Sequence, residues 1–523
     1  MKKAVIVSLC IVIGIFVAYG QAGANQPAWI AELSDWQAHE VKAQEIAITV
    51  PASEYVTLGI YNTDAVEVVA PVGITHEKFG LWYEARTVYK DTEHQRDMAV
   101  PFYMPPSRWM HQQGSQTVRL FADKPGSYCI VLKCNSDTCQ LILTVTPAVP
   151  SSDTGLGFYV DYNRFGYYDK VNERKYFEDM ANHGCNTTTF YTSRVYTADP
   201  EIAKRYPASG PDYKAMTHYD VGRQFDLAAE VGLTDPDIPV FGFFGDGHNL
   251  LSDLAEAKKL FPERADEWPE VLGYNADEAG PNQRPIMERQ QAAWDGLDVR
   301  NGSATGTASL FAISDVMDLW LPYVTSWTPL LAAKAAEEGA ELGQYICGWR
   351  GTNAPMHRYM TGIWRWITRP KMLLLWSYMH DPKSRVDPDG KWNAKRSFEY
   401  ALAAPDGPIS TVGLEGFRDG AVDYRVLREL ERVLRKASKE RTGLASYDHI
   451  VPADAPGMAD IQKCATFLSE VSQMYVQGFS TMQPGPYVAD GPDTMIPPAD
   501  CAAVREEAIG WIATLSGEEG ANE

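Results

Sequence analysis

The sequence has 523 residues with a formal net charge of −21, and 45% of its residues are hydrophobic. This length predicts two or three globular domains with substantial cores. An acidic balance of this size disfavours nucleic acids and anionic membranes as partners.

The first 24 residues have the pattern of a secretory signal peptide. Lys2 and Lys3 precede an apolar run over 4–18, and small residues at 22–24 follow as a cleavage pattern. A run of roughly 15 residues is shorter than the roughly 20 that span a bilayer. We therefore expect a secreted or periplasmic protein with no membrane anchor.

Residues 25–150 are predicted to form a β-sandwich domain. Short β-rich runs such as EIAITV, EYVTLGIYN, TVRLFAD and QLILTVTP follow one another between turn residues, the spacing typical of an antiparallel sandwich. Cys134 and Cys139 flank a turn-like Asn-Ser-Asp segment, so a hairpin disulfide and two free thiols both remain open. Pro, Ser, Thr and Gly concentrate in 146–155, which predicts a domain boundary.

Residues 151–440 are predicted to form a (β/α)8 barrel, because eight strand candidates alternate with helical patterns. The candidates lie at 155–163, 187–194, 238–247, 270–278, 301–307, 316–324, 343–350 and 371–380. A doubly wound open sheet is the main alternative, but no Gly-x-Gly-x-x-Gly fingerprint follows the first strand. The fifth candidate, NGSATGT, is only weakly apolar.

The C-terminal segment, residues 441–523, is predicted to be helical. Two helical runs, ADIQKCATFLSEVSQMYV and CAAVREEAIGWIATL, predict a terminal helical hairpin. Cys464 and Cys501 could cross-link this hairpin.

Two adjacent carboxylates, Asp277 and Glu278, close the fourth strand candidate in LGYNADEAGP. A barrel has its active site at the C-terminal ends of its strands. Because side chains alternate along a strand, both carboxylates reach one pocket only if the strand breaks there, which Gly280-Pro281 favours. Nearby carboxylates raise the pKa of at least one of them, and glycoside hydrolysis needs one protonated and one ionised acid. The alternative is that Asp277 caps the next helix while Glu278 faces solvent.

Aromatic residues recur at or near the same strand ends. Sugar rings pack their C–H faces on aromatic rings, and phenol or indole groups bond hydroxyls. Ordinary core packing is the alternative for each of these residues. The candidates for substrate binding are Trp376, Tyr378, Trp349, Trp320, Tyr323, Tyr274 and Tyr191, with Asp246 and His248 after the third strand. The sequence has no HExxH, Gly-x-Ser-x-Gly or P-loop motif, so neither a metal nor a cofactor is predicted.

The stretch LGYNADEAG resembles the Asp-Glu site of glycoside hydrolase family 123, and LLLWSYMHD with GPISTVGLEGFRDGAVDYRVLRELE resembles the segment that closes its barrel. The family has a β-sandwich before the barrel and consists of retaining β-N-acetylgalactosaminidases that use the substrate's 2-acetamido group as nucleophile. The resemblance implies that Glu278 is the general acid/base and that Asp277 orients the acetamido group. It also implies that Trp376 is the floor for the terminal sugar, with Tyr378 beside it. Ala279 stands where such enzymes often have proline.

We therefore expect an enzyme that removes a terminal 2-acetamido sugar from an oligosaccharide or polysaccharide. A glycosidase of different sugar specificity is one alternative. A glycan-binding barrel without catalysis, in which Asp277 and Glu278 only bind hydroxyls, is another. Arg418, Asp419 and Asp423 in the closing segment are interpreted as a structural ion-pair cluster. The sequence leaves the sugar, the linkage and the oligomeric state open.

Overall fold

Strand-rich segments precede a ring of parallel strands and a set of helices in the computed structural model of this protein. It describes residues 29–32, 39–40, 45–61, 66–87, 97–104, 115–134, 137–160, 169–191, 213–243, 250–274, 276–294, 300–347, 354–379, 385–386, 392–393, 400–404, 407–442, 458–478 and 499–517. The predicted signal peptide lies outside the described residues.

Two sheets form the N-terminal part of the chain, in the strand orders β2-β1-β4-β8-β6-β7 and β3-β10-β9-β5. The strands are β1 (Trp29–Glu32), β2 (His39–Glu40), β3 (Glu45–Pro51), β4 (Tyr55–Tyr61), β5 (Val66–Val69), β6 (Ile74–Thr87), β7 (Asp97–Met104), β8 (Ser115–Ala122), β9 (Gly126–Cys134) and β10 (Asp137–Thr146). Strands β3 and β10 pair in parallel, whereas the other described pairs of these sheets are antiparallel. Leu58 and Leu120 of one sheet and Leu132 and Leu141 of the other are fully buried in one core.

The cysteines considered for cross-links are free thiols in the structure. Cys134 and Cys139 lie buried on β9 and β10, and Cys464 and Cys501 are buried in C-terminal helices. Neither disulfide considered from the sequence therefore joins these described residues.

A second sheet system follows, in which every described strand pair is parallel. Its strands are β11 (Gly155–Phe158), β12 (Thr187–Tyr191), β13 (Val240–Phe243), β14 (Val271–Tyr274), β15 (Asn301–Thr305), β16 (Leu319–Pro322), β17 (Glu341–Leu342), β18 (Gln344–Cys347) and β19 (Met372–Trp376). Strand β17 pairs with β16 and β18 pairs with β19, yet only Gly343 separates β17 from β18. They are two halves of one strand, so both edges of the sheet belong to the same stretch of chain. The described parallel strands therefore form a nearly closed ring, as the predicted barrel requires and an open sheet does not.

Helices surround the barrel and complete the C-terminus. They are α1 (Asp169–Asn182), α2 (Tyr213–Glu230), α3 (Leu250–Leu260), α4 (Arg284–Trp294), α5 (Thr307–Leu310), α6 (Pro329–Glu337), α7 (Ala354–Tyr359), α8 (Arg365–Thr368), α9 (Val412–Thr442), α10 (Met458–Gly478) and α11 (Cys501–Ser516). A π-helical turn, Met360–Trp364, joins α7 to α8. Four short strands, β20 (Arg385–Val386), β21 (Trp392–Asn393), β22 (Ala401–Ala404) and β23 (Gly407–Ser410), form a small sheet before α9. None of the helices in the described ranges has the length and apolarity needed to cross a membrane.

Side chains alternate between two environments along each barrel strand, as the pleat requires. The set that fills the barrel interior is Tyr159, Phe241, Leu272, Tyr274, Ala304, Leu319, Leu321, Tyr345, Met372 and Leu374. Their strand neighbours, such as Phe158 and Leu375, pack outward against the helices. This alternation decides which strand residues can reach the mouth of the barrel.

The sandwich contacts the barrel through a buried carboxylate in the first turn of α9. Glu415 accepts hydrogen bonds from Thr57 Oγ1 at 2.9 Å and from Arg119, both on sandwich strands. On the barrel side, His183 Nε2 lies 3.5 Å from Glu415 Oε1. Burial by itself would raise the pKa of Glu415, but Arg119 and His183 outweigh it and hold that pKa well below its usual range.

The closing segment forms the ion pairs predicted for it. Arg418 Nη1 donates to Asp419 over 2.7 Å, and its Nη2 donates to Glu54 of the sandwich over 3.1 Å. Arg358 Nε donates to Asp423 over 2.7 Å. These buried pairs hold helices and domains together, which confirms their structural interpretation.

Candidate active site

The two carboxylates lie on a turn that follows directly from β14. The strand ends at Tyr274, and Asp277 and Glu278 occupy the turn, both with exposed side chains. Glu278 has φ +46°, a left-handed conformation that costs a non-glycine residue about 1–2 kcal/mol. The strand therefore breaks before the acid pair, as the sequence predicts. We name residues 276–280 the acid turn.

The acid turn stands at the C-terminal end of the barrel strands. Tyr274 Oη donates a hydrogen bond to Asp277 Oδ1 over 3.0 Å. Burial and, after it, the negative charges of Glu278 and Asp277 together raise the pKa of the Cys347 thiol to about 12. Cys347 is the last residue of β18, so the acid turn and the end of β18 face the same mouth.

The environment of Glu278 favours its protonated form. Partial burial raises the pKa of its carboxyl above the ordinary value, and the neighbouring charge of Asp277 raises it further. A carboxyl with a raised pKa can act as a proton donor near neutral pH. The acid pair thus combines a carboxyl group whose pKa is raised with a second carboxyl group that accepts a hydrogen bond from a phenol.

Aromatic rings form the floor of the mouth below the acid turn. The ring of Tyr159 lies 6.1 Å from Tyr274, edge to face, and 5.8 Å from Trp376. Across the mouth, Tyr323 meets Tyr345 edge to face at 5.3 Å. Trp376 and Tyr323 are half-buried, so part of each ring remains accessible. The structure therefore brings Tyr274, Tyr323 and Trp376 together with the acid pair.

Two predicted substrate-binding residues do not reach the mouth. Trp320 is fully buried on the outer face of β16, where its Nε1 donates to Ser314 O over 3.2 Å. Tyr378 is fully buried beyond the end of β19 and donates to Asp179 Oδ2 of α1 over 2.5 Å. Both are packing residues between the barrel and its helices, so the prediction that they contact substrate is wrong for this structure.

The side chains of the other four predicted substrate-binding residues lie outside the described part of the structure. Tyr191 is the last residue of β12, but its side chain lies outside the described residues. Trp349, Asp246 and His248 also lie outside them. Their assignment to the site stays a prediction.

Tyr345 and Cys347 are mouth residues that the sequence analysis missed. Both face the barrel interior, and Glu278 and Asp277 are among the charges that raise their pKa values, after burial itself. The signal was present in GQYICGWR, because residues two apart on a strand share a face. Trp349, a predicted substrate-binding residue, follows Cys347 by two positions in the sequence, as Cys347 follows Tyr345.

Ala279, which stands where a proline is frequent in the resembling family, makes a backbone hydrogen bond that a proline could not make. The backbone N–H of Ala279 donates to Ala304 O over 3.0 Å, which links the acid turn to β15. Proline lacks this donor. Ala279 is also fully buried against Met287 and Leu310.

A cavity of about 920 Å³ lies at the opposite end of the barrel, between the sandwich and the segments that precede β12 and β13. Its charged lining includes Glu54, Arg119, His183 and Arg418, which form the ion pairs between the domains. Barrel enzymes bind substrate at the C-terminal end of the strands. We therefore assign the candidate site to the mouth with the acid turn. No group of three or more potential metal ligands occurs within the described part of the chain.

No protein-family model and no curated protein matches this chain. Among solved structures, it is similar to an FMN-binding beta-glucuronidase from Facaelibacterium prausnitzii, with 11% identity, TM-score 0.29, and coverage of 71% of this chain and 60% of the other. A glycosyl hydrolase family 2 member from Bacteroides cellulosilyticus gives 11% identity and TM-score 0.26, covering 63% of this chain and 44% of the other. A bacterial Ig-like domain containing GH10 xylanase from termite gut gives 8% identity and TM-score 0.29, covering 74% and 100%. The chain thus spans less than two thirds of the first two structures, and scores this low carry no argument about activity.

Proposed function

We propose that this protein is an exported glycoside hydrolase that removes a terminal 2-acetamido sugar, of the β-N-acetylgalactosaminide type, with retention of configuration. The observation that carries the proposal is the acid turn: Asp277 and Glu278 are consecutive residues at the barrel mouth, and the pKa of Glu278 is raised. Export rests on the signal-like residues 1–24.

The adjacency of the two acids supports a mechanism that uses the substrate as nucleophile. Glycosidases with two catalytic carboxylates place them on either side of the scissile bond, about 5–5.5 Å apart for retention and about 6.5–9.5 Å apart for inversion. Asp277 and Glu278 instead lie next to each other on one turn, at the same edge of the mouth. This arrangement suits one acid that protonates the leaving group and a second that binds the acetamido group of the same sugar.

In the first step, Glu278 gives its proton to the glycosidic oxygen while the acetamido oxygen attacks C1. The bond between C1 and the leaving oxygen breaks, and a cyclic oxazolinium forms. Asp277, held by Tyr274, accepts the hydrogen bond of the amide N–H and stabilises the positive charge. In the second step, Glu278 takes a proton from water as the water oxygen attacks C1, the ring opens and the β-configuration is restored.

The aromatic residues of the mouth provide a surface on which the terminal sugar can bind. The half-buried ring of Trp376 can pack on the C–H face of the terminal sugar, and Tyr323 lies across the mouth.

The test is a Glu278→Gln variant assayed on an aryl β-N-acetylgalactosaminide with a good leaving group and on one with a poor leaving group. Loss of a general acid costs about 10²–10⁴-fold in rate, and the loss should be larger for the poor leaving group, which needs the proton more. Glu263→Gln removes the same charge from an exposed glutamate on the segment that precedes β14, at the other end of the barrel, and should leave turnover unchanged. Equal turnover in the Glu278→Gln variant and the wild type would refute the role.

One observation favours a second candidate, a glycan-binding barrel without catalysis. Both carboxylates are exposed, as groups that only bind sugar hydroxyls would be. Calorimetry with a panel of oligosaccharides, followed by a search for products, separates the two candidates. Binding without cleavage over long incubation would support the binding protein.

A further inference from the structure

The acid turn is fastened to the neighbouring strand at both of its ends. Ser303 Oγ donates to Ala276 O, just before Asp277, and Thr305 Oγ1 donates to Ala279 O over 3.0 Å, just after Glu278. The N–H of Ala279 donates in return to β15. The two catalytic candidates are thus the only residues between two anchored peptides.

The hydroxyls of Ser303 and Thr305 occupy positions where packing would favour apolar groups. Gly302 and Ala304 face the barrel interior, so Ser303 and Thr305 face outward toward the helix layer, and both are fully buried. A buried hydroxyl is unfavourable unless it is hydrogen-bonded. Here both hydroxyls donate to carbonyl groups of the acid turn. These hydrogen bonds explain why β15 carries polar residues at two buried positions.

The left-handed conformation of Glu278 requires such anchors. A strained backbone conformation persists only where the surrounding structure holds it. If one end of the turn were released, the chain could relax at Glu278, and the direction of its carboxyl relative to Asp277 would change.

We propose that Ser303 and Thr305 are positioning residues that fix the Asp277–Glu278 pair in its working orientation. Their catalytic consequence rests on the proposed function. Their effect on the turn itself does not.

The experiment compares Thr305→Val with Thr187→Val. Thr187 is also a fully buried barrel threonine, and its hydroxyl donates to Pro239 O over 2.7 Å at the opposite end of the barrel. Both variants keep the shape of the side chain and remove one buried hydrogen bond, so they should lose similar thermal stability. Thr305→Ser retains the hydroxyl and serves as the rescue, and Ser303→Ala tests the other end of the turn.

Two measurements are made on each full-length variant. The first is hydrogen exchange of the Ala279 amide, which we expect to rise about tenfold or more in Thr305→Val, since one hydrogen bond controls about this factor. The second is the pH profile of kcat/KM on the aryl glycoside. A released Glu278 is more hydrated and less affected by Asp277, so the basic limb should move to lower pH and kcat should fall with little change in KM.

The outcomes separate the two proposals. Faster exchange in Thr305→Val and Ser303→Ala, but not in Thr187→Val or Thr305→Ser, supports the anchoring role even if the wild type cleaves no glycoside, in which case only the proposed function fails. Exchange and pH profiles of Thr305→Val that match those of Thr187→Val would overturn the positioning role in an active enzyme.

Discussion

The phenol of Tyr274 donates a hydrogen bond to Asp277 Oδ1 over 3.0 Å, so the last residue of β14 holds one of the two adjacent carboxylates. The same phenol oxygen also accepts from the Ala304 N–H at 3.3 Å. The carboxylate is therefore oriented by a buried ring that cannot move without disturbing the barrel interior.

Replacing Tyr274 by phenylalanine should weaken the hold on Asp277 and leave the fold intact. A hydrogen bond to a charged group is worth about 1.5–3 kcal/mol, so kcat/KM should fall by roughly tenfold or more. Steady-state kinetics on the aryl glycoside measure this. Tyr128→Phe, which removes the bond of Tyr128 to Lys124 O in the sandwich, should leave kinetics unchanged. A Tyr274→Phe variant as active as the Tyr128→Phe variant would contradict the orienting role.

The charge of Asp277 should set the basic limb of the pH profile. After burial, this charge is the second cause that raises the pKa of Glu278, and Glu278 must be protonated to act as an acid. In Asp277→Asn, the pKa of Glu278 should fall toward its ordinary value, so the basic limb of the residual kcat/KM should move to lower pH. Carboxyl titration by NMR gives the same quantity without turnover. A limb that stays in place would show that Asp277 does not act on Glu278.

Two tryptophans predicted to bind substrate should behave in opposite ways. Trp376→Ala should raise KM and change thermal stability little, because the half-buried ring lies at the mouth. Trp320→Ala should destabilise the fold by about 3–5 kcal/mol, because it leaves a cavity in the fully buried outer layer. Denaturant unfolding and steady-state kinetics on both variants check this. A Trp320→Ala variant with normal stability and a raised KM would restore Trp320 to the site.

His183 should make stability fall at alkaline pH. Burial lowers its pKa, but Asp179 and Glu415 outweigh burial and the net pKa is raised despite the opposing charge of Arg119. The folded chain then binds this proton more tightly than the unfolded chain, so the stabilisation is complete below the ordinary value of about 6.5 and is lost as the pH rises through the folded pKa. The difference in unfolding free energy between wild type and His183→Gln should therefore shrink from pH 6 to pH 9.

The control for this prediction is His76→Gln, since His76 is exposed on the sandwich strand β6. Substitution of this exposed side chain should change the unfolding free energy by less than about 0.5 kcal/mol. A His183→Gln difference that grows with pH would reverse the sign and contradict the prediction.

The sequence predicts the barrel well because its strands are buried on both faces and form short apolar runs. The eighth candidate, 371–380, contains the observed Met372–Trp376 but extends too far. The apolar run continues into SYMH after the strand has ended, so the two-residue period no longer applies and Tyr378 turns away from the mouth. In the sandwich, β6 (Ile74–Thr87) was not predicted, because Ile74 is followed by the four polar residues THEK, whose side chains are exposed or half-buried, and these residues interrupt the apolar pattern.

The position of the acid pair at a strand end was predictable from the sequence, whereas the inward or outward orientation of the aromatic residues was not. Asp277 and Glu278 can be recognised in the sequence because they are adjacent acids at the end of a predicted strand. Trp320, by contrast, can be assigned to the outer face only once Leu319 and Leu321 are known to fill the interior. Which of two alternating faces is the inner one depends on how neighbouring strands meet, and that information is not local.

The carboxylate of Glu415 makes the two domains depend on each other. A barrel cut free of its sandwich near residue 150 would lose Arg119 and Thr57, and Glu415 would remain as a desolvated charge near only His183 and Arg418 among the described positive partners. Breaking a buried ion pair on one side costs about 3–5 kcal/mol, a large part of the stability of an ordinary domain. Modular reuse of the barrel, by evolution or by protein engineers, therefore requires either that the sandwich travels with it or that position 415 becomes uncharged.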